Sequence, residues 1–153
     1  MTVWIGIDPG LRSGAIGAVD HDGRYVGVHD IAAVGDRIDA RALKQLILDM
    51  TVAGDDYAIC VEQVWSLPKQ GISSSGRFMR AYGAIGAVCE LLCDRVIYVT
   101  PQVWKREMQV TADKSESLVK ARLMFPQATL LLKKDHGKAE ALLIAEYARR
   151  VFA

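Results

Sequence analysis

The sequence predicts an α/β fold, a five-stranded mixed sheet flanked by helices. Two patterns carry that reading. Three short apolar runs fill residues 3–29, the last two joined by "HDGR", an Asp-Gly hairpin turn. From residue 39 onward, helix-period segments alternate with further apolar runs, the order that builds a partly parallel sheet with helices packed on it. The chain has 153 residues and 51% hydrophobic content, enough for a core and too apolar for a disordered segment. The expected organisation is a single domain over 1–153, with no repeat, linker or low-complexity stretch.

Val3 to Asp8 reads as a buried strand ending in the turn "DPG". Ser13 to Asp20 reads as a second strand of small residues, and Arg24 to His29 returns as a third. Asp39 can cap a helix to about Met50, with Leu43, Leu46 and Ile47 on one face. Tyr57 to Glu62 is the fourth strand. The polar stretch "SLPKQGISSSGR" reads as a loop, followed by a helix from about Gly76 to Cys93. Arg95 to Val99 is the fifth strand. Thr100-Pro101 then opens a short helix in the N-cap and N1 arrangement. Two more helices are expected, from about Lys114 to Phe125 and from near Asp135 to the C-terminus.

Charge is distributed unevenly although the net value is only +1. Residues 1–65 hold five Lys/Arg against ten Asp/Glu, whereas residues 66–138 hold twelve against six. An acidic third beside a basic middle suits a metal site next to a polyanion-binding surface, although ordinary surface charge can also segregate in this way. No apolar run reaches the ~20 residues that span a bilayer, and the start lacks a basic region ahead of an apolar one. A cytoplasmic protein without membrane contact is expected. The three cysteines, with no CxxC and no paired histidines, read as core packing and not as a zinc site.

Acidic residues stand at the ends of elements that such a sheet would bring together. Asp8 ends the first strand and Glu62 the fourth, so both point into the crevice at the strand C-termini. Glu140 lies one turn into the last helix, preceded by Asp135 and His136, and residues four apart share a helix face. Clustered carboxylates need compensation, which a hard divalent cation such as Mg²⁺ or Mn²⁺ supplies through oxygen ligands. Two such ions serve phosphodiester cleavage. Each residue also has a plain alternative: Asp8 as a turn initiator, Glu62 as a strand end at solvent, Asp135 as a helix cap, His136 as a loop residue, and Glu140 on an exposed helix face.

"IGIDPGLRSGAIGAVD", "VEQVW", "TPQVWKREM" and "HGKAEALLIAEYARR" occur in an order that resembles the RuvC-type Holliday junction resolvases, especially their short phage and prophage variants. The resemblance spans Trp4 to about Arg150. It implies an RNase H-like fold and a four-residue metal site holding Mg²⁺ or Mn²⁺, two ions per site, for cleavage of four-way junctions or other branched DNA. The family's first aspartate matches Asp8, its central glutamate Glu62 and its last acid Glu140, here glutamate where aspartate is commoner. The family usually carries an acid or histidine three positions before the last acid, which is Gly137 in this chain. The short variants shift that ligand to the position of His136, with neighbouring Asp135 as competitor.

The same resemblance implies a base-stacking role near the junction crossover for Trp65, three residues past Glu62. Stacking of that kind tolerates any base. Lys69, Arg77, Arg80, Lys105, Arg106 and Lys114 supply cations for phosphate contact, with Lys120 and Arg122 extending the basic stretch. The Gly/Ala-rich helix near residue 76 is a candidate homodimer interface, since a substrate with two strands to cut suits two sites related by a twofold axis. Three alternatives stay open. One is another RNase H-like nuclease acting on flaps or RNA, and one is a junction-binding module without catalysis. The third, an actin-like kinase, is disfavoured because 153 residues are too few for two lobes and no phosphate loop is visible.

Overall fold

The architecture comes from a computed structural model that describes every residue except 66–68 and 70. The elements run β1 (Thr2–Asp8), β2 (Ala15–Val19), β3 (Tyr25–Asp30), β4 (Ala33–Val34), β5 (Arg37–Ile38), α1 (Ala40–Asp49) and β6 (Asp56–Glu62). They continue with α2 (Ile72–Leu92), β7 (Val96–Val99), α3 (Pro101–Glu107), α4 (Lys114–Met124) and α5 (His136–Phe152). A five-stranded sheet has the order β3-β2-β1-β6-β7. β1 pairs antiparallel with β2, and β2 with β3, while β1/β6 and β6/β7 are parallel. This is the mixed five-stranded sheet expected, with helices on both faces. No helix among the described residues is long and apolar enough to cross a membrane.

Side chains alternate across a strand with a period of two, so each strand feeds two cores. From β1, Val3, Ile5 and Ile7 pack on the α1/α2 side with Leu43, Ile47, Ile85 and Cys89. Trp4 faces the other side, where Trp104, Met108, Phe125 and Leu142 gather. β6 follows the same rule: Ile59 and Val61 join the α1/α2 core, and Ala58 and Cys60 join the α3/α4/α5 core. By that parity Asp8 and Glu62, the last residues of their strands, fall on the α5 side. They lie just beyond the Ile7↔Val61 pair, the last in the parallel register of β1 with β6.

α5 runs antiparallel to β1 and against its centre. The helix sits so close to Gly6 that any Cβ there would overlap the backbone at Ala141 and Ala145. This contact fixes which turn of α5 reaches the C-terminal end of β1. Eleven of the twelve residues 137–148 of α5 are buried, Lys138 being the exception, matching an apolar run that packs on the middle of the sheet.

Two expectations need correction. α2 begins at Ile72, so residues 72–77 of the supposed loop are helical, with Gly71 at the N-cap. Serines are poor helix formers mainly in helix interiors and are tolerated in a first turn, where their side chains reach free backbone groups. Residues 66–68 and 70 of that expected loop lie outside the described residues. The small β4/β5 hairpin was not expected; it turns at Gly35, whose φ of 61° favours glycine.

Candidate active site

The crevice forms where the C-terminal ends of β1 and β6 meet the N-terminal turns of α5. Asp8, Glu62 and Glu140 converge there. Glu62 and Glu140 are buried and Asp8 is partly exposed at the mouth. Burial, and then the charges of Glu140 and Glu62, push the Asp8 carboxyl well above the usual aspartate range, while Lys114 and Lys105 offset part of the shift. Burial also raises Glu62, opposed by a hydrogen bond from Trp104, with Glu140 raising it further and the two lysines lowering it.

α3 and α4 hold two of these carboxylates. The Trp104 indole N–H donates to Glu62 Oε2 at 2.6 Å. The Lys105 ammonium lies 3.2 Å from Glu140 Oε1 and 5.3 Å from the centre of the Trp104 ring. Ser117 Oγ donates to Glu140 Oε1 at 3.4 Å. Lys105 is therefore not part of the outward basic surface: its side chain is 19% exposed and spent on the acidic cluster. Lys114, exposed at the first turn of α4, stands at the rim, where its charge favours ionisation of Asp8 and Glu62.

Gly137 is the α5 residue that faces Asp8. A Cβ built there would lie 3.3 Å from Asp8 Oδ2 and 2.6 Å from the Ser13 carbonyl oxygen. The β1–β2 turn thus fills the space a side chain would need at this position. His136 precedes it, half-buried, and its Nδ1 is buried with no hydrogen-bond partner among the described residues. Asp135 is engaged otherwise. It accepts from the Leu132 N–H at 2.8 Å and pairs with Lys138 at 3.5 Å. The first contact, despite the opposing effect of burial, and then Lys138, hold its carboxyl below the usual range. It closes the 3₁₀ turn Lys133–Asp135 that leads into α5.

The remaining candidates differ in setting. Trp65 is 54% exposed, so it does not belong to the core. Lys69 and Arg106 are exposed. Arg80 pairs with Asp36 at 3.8 Å. Arg77 lines a cavity of about 360 Å³ with Arg12, Ser13 and Ser74, beside the β1–β2 turn. Sequence reasoning assigned no role to Arg12, Trp104 or Ser117. Trp104 lay within the quoted "TPQVWKREM" and Arg12 four residues past Asp8 in the same turn, but the contacts of Trp104 and Ser117 depend on tertiary structure.

The donor set of the crevice is hard oxygen, which Mg²⁺ and Mn²⁺ prefer, and its like charges are only partly balanced by lysine. Asp8, Glu62 and Glu140 are the residues that could hold such ions, with His136 Nδ1, unpartnered among the described residues, nearby in sequence. Among the described residues, the one group of potential ligands gathered within 4.8 Å is elsewhere: Asp20, His21 and Asp22 in the β2–β3 turn. Its members are already engaged, Asp20 by the N–H groups of Asp22 and Arg24, and Asp22 by the Arg24 guanidinium at 2.5 Å. The crevice carboxylates are more widely spaced than that group. The further buried carboxylate, Glu146, is gripped by Arg149 and Arg150 at 2.8 and 2.7 Å and takes no part in the crevice.

No family model matches the sequence, and no curated protein sequence matches it. Solved structures do. The chain is similar to Thermus thermophilus RuvC in complex with a Holliday junction substrate, with a TM-score of 0.70 and 18% identity over 99% of this chain and 97% of that one. A second Thermus thermophilus RuvC structure gives a TM-score of 0.60 and 20% identity over 97% of this chain and 95% of that one. The chain has the RNase H-like fold of RuvC along nearly its whole length.

Proposed function

We propose that the chain is a divalent-cation-dependent endonuclease that cuts four-way DNA junctions, a single RNase H-like nuclease domain working as a homodimer. One observation carries the reading: Asp8, Glu62 and Glu140 meet at the strand ends of a fold shared with a RuvC solved on a junction. Asp8, Glu62 and Glu140 would hold Mg²⁺ or Mn²⁺, with His136 as the fourth ligand. Such ions, when bound, activate a water and stabilise the leaving oxygen of phosphodiester hydrolysis.

The chain's own residues do the rest. Trp104 and Lys105 hold Glu62 and Glu140 in place before any cation arrives. Lys114 at the rim, with Arg77, Arg106 and Lys69 further out, attracts the DNA backbone in a salt-dependent manner. Exposed Trp65 offers a stacking face to an unpaired base at the crossover. His136 is preferred to Asp135 because the Asp135 carboxylate is committed to Leu132 and Lys138.

The homodimer reading rests on α2. Only four of its 21 residues are buried, and Ile72, Met79 and Leu91 are exposed. Beside them Gly83 and Ala87 leave an open groove floored by Tyr82 and Tyr98, room for a second copy to approach closely. Sedimentation finding only the 16.8 kDa species, both free and on DNA, would refute the dimer.

The deciding experiment incubates the purified protein with Mg²⁺ or Mn²⁺ and, side by side, a synthetic four-way junction, a flap and an RNA–DNA hybrid. Paired nicks near the crossover of the junction are expected. Preferential cutting of flap or hybrid would move the assignment to another RNase H-like nuclease. Binding without nicks in either metal would make it a junction-binding module.

A further inference from the structure

The Trp104 indole is the residue whose place in the fold is least explained by packing alone. It is completely buried in the α3/α4/α5 core, where an aromatic of any kind would supply apolar contact. A buried indole also carries an N–H that needs an acceptor. That acceptor is the Glu62 carboxylate at 2.6 Å, a charge-assisted bond across 42 residues of sequence. Backbone pairing sets up the contact: Glu62 lies opposite Val99 at the end of β7, and α3 begins two residues later. Trp104 therefore points back over the strand end that it must meet. Lys105, next on the helix, lies over the same ring and grips Glu140.

We propose that Trp104 is a positioning residue for cation binding: its N–H fixes Glu62 by Oε2, so that the carboxylate would be held in place when a cation binds. The proposal rests on the nuclease reading above. A glutamate at a strand end has three rotatable bonds, and fixing it when the cation binds weakens the complex by the entropy lost. The indole fixes it during folding instead. Phenylalanine at 104 would fill most of the space but leave a buried carboxylate without its donor. Residues that orient a metal ligand in this way typically change metal affinity 10–100-fold when replaced.

Two measurements on the full chain test this. In the first, Mn²⁺ binding is titrated calorimetrically for the unmodified chain, for Trp104→Phe, and for the core control Phe125→Leu. About tenfold weaker binding by Trp104→Phe is expected, with Phe125→Leu unchanged. An equal loss in both variants would make Trp104 a packing residue only and overturn the proposal. The second measurement needs no variant at 104, and so survives a Trp104→Phe chain that fails to fold. The three indole N–H resonances differ in setting: Trp4 is buried without a partner among the described residues, Trp65 is exposed and Trp104 is bound to a carboxylate. The Trp104 signal is expected furthest downfield, moving on Mg²⁺ addition and in Glu62→Gln. A signal indifferent to both would overturn the proposal. If the unmodified chain shows no saturable Mn²⁺ binding, the nuclease reading itself fails and the proposal falls with it, a result separable from the other two.

Discussion

Replacing Asp8 by asparagine is expected to abolish cleavage and to make the cation-free protein more stable. The side chain is nearly isosteric, and Asp8 makes no side-chain hydrogen bond to another described residue that asparagine would lose. What the change removes is a negative charge that burial, Glu140 and Glu62 all disfavour. Because the folded-state pKa is raised, the folded chain binds the proton more tightly than the unfolded one. The stabilising contribution of the protonated form is full below the usual aspartate range and is lost as pH rises through the raised value. At neutral pH the wild-type chain therefore carries the penalty and Asp8→Asn does not. Each unit of displacement is worth about 1.4 kcal/mol. Partial exposure and the two lysines reduce the effect without reversing its sign, so the variant is expected to be the more stable chain at neutral pH. For a chain of this size each kcal/mol gained raises Tm by roughly 2–4 °C.

The assay is thermal unfolding in chelator across pH 3–8, with junction cleavage in Mg²⁺ alongside. The Tm difference between variant and wild type should be near zero at the acid end and grow as pH rises. Added Mn²⁺ should raise the wild-type Tm more than that of the variant, since a ligand stabilises the state that binds it. If Asp8→Asn is less stable than wild type at neutral pH in chelator, Asp8 is a structural turn residue and the electrostatic account fails. If it cuts junctions at the wild-type rate, the site assignment fails.

Trp65→Ala should leave Tm almost unchanged, because the side chain is already 54% exposed, while junction cutting falls about five- to a hundredfold, the equivalent of ~1–3 kcal/mol of lost stacking. A Tm drop typical of a large core truncation would return the residue to the core. His136→Ala should lose cleavage with folding retained, whereas Asp135→Ala should cost about 1 kcal/mol of stability, as a lost cap does, with near-normal cleavage per folded molecule; single-turnover rates beside urea unfolding decide the order. Gly137→Ala should destabilise by about 1–3 kcal/mol in urea unfolding, since its Cβ meets the Ser13 carbonyl oxygen at 2.6 Å, and Gly137→Asp in a His136→Ala background should fail to restore cleavage for the same reason.

The fold was legible wherever a period was long enough to read. β1 and β6 announce themselves by continuous apolar runs and by the carboxylate that ends each, and the Asp-Gly turn marks the β2/β3 hairpin. β4 and β5 are two residues each and cannot display any period. The start of α2 was misplaced because serine and glycine favour loops by local preference, whereas Ala81, Tyr82, Ile85 and Cys89 decide by packing on the core where the helix must run.

The site was legible in its acids and illegible in what surrounds them, for a physical reason. Strand parity fixes the side of the sheet on which Asp8 and Glu62 emerge, and parity can be counted along a sequence. The direction of Lys105 depends instead on the phase of a seven-residue helix, set by how Trp104 seats against β6. A lysine in a basic stretch looks like a phosphate contact until that phase is known. Once known, the same residue is the counterion of Glu140, and the basic surface begins at Lys114. Gly137 shows the same dependence in reverse. Its lack of a side chain looks like a lost ligand when counted along the sequence. In the fold it is the condition for α5 to reach Asp8 at all, because the Ser13 carbonyl already fills the space a ligand would take. The helix closes on the strand, and under the proposed nuclease reading a fourth ligand would come from the neighbouring His136, whose Nδ1 is buried without a partner among the described residues.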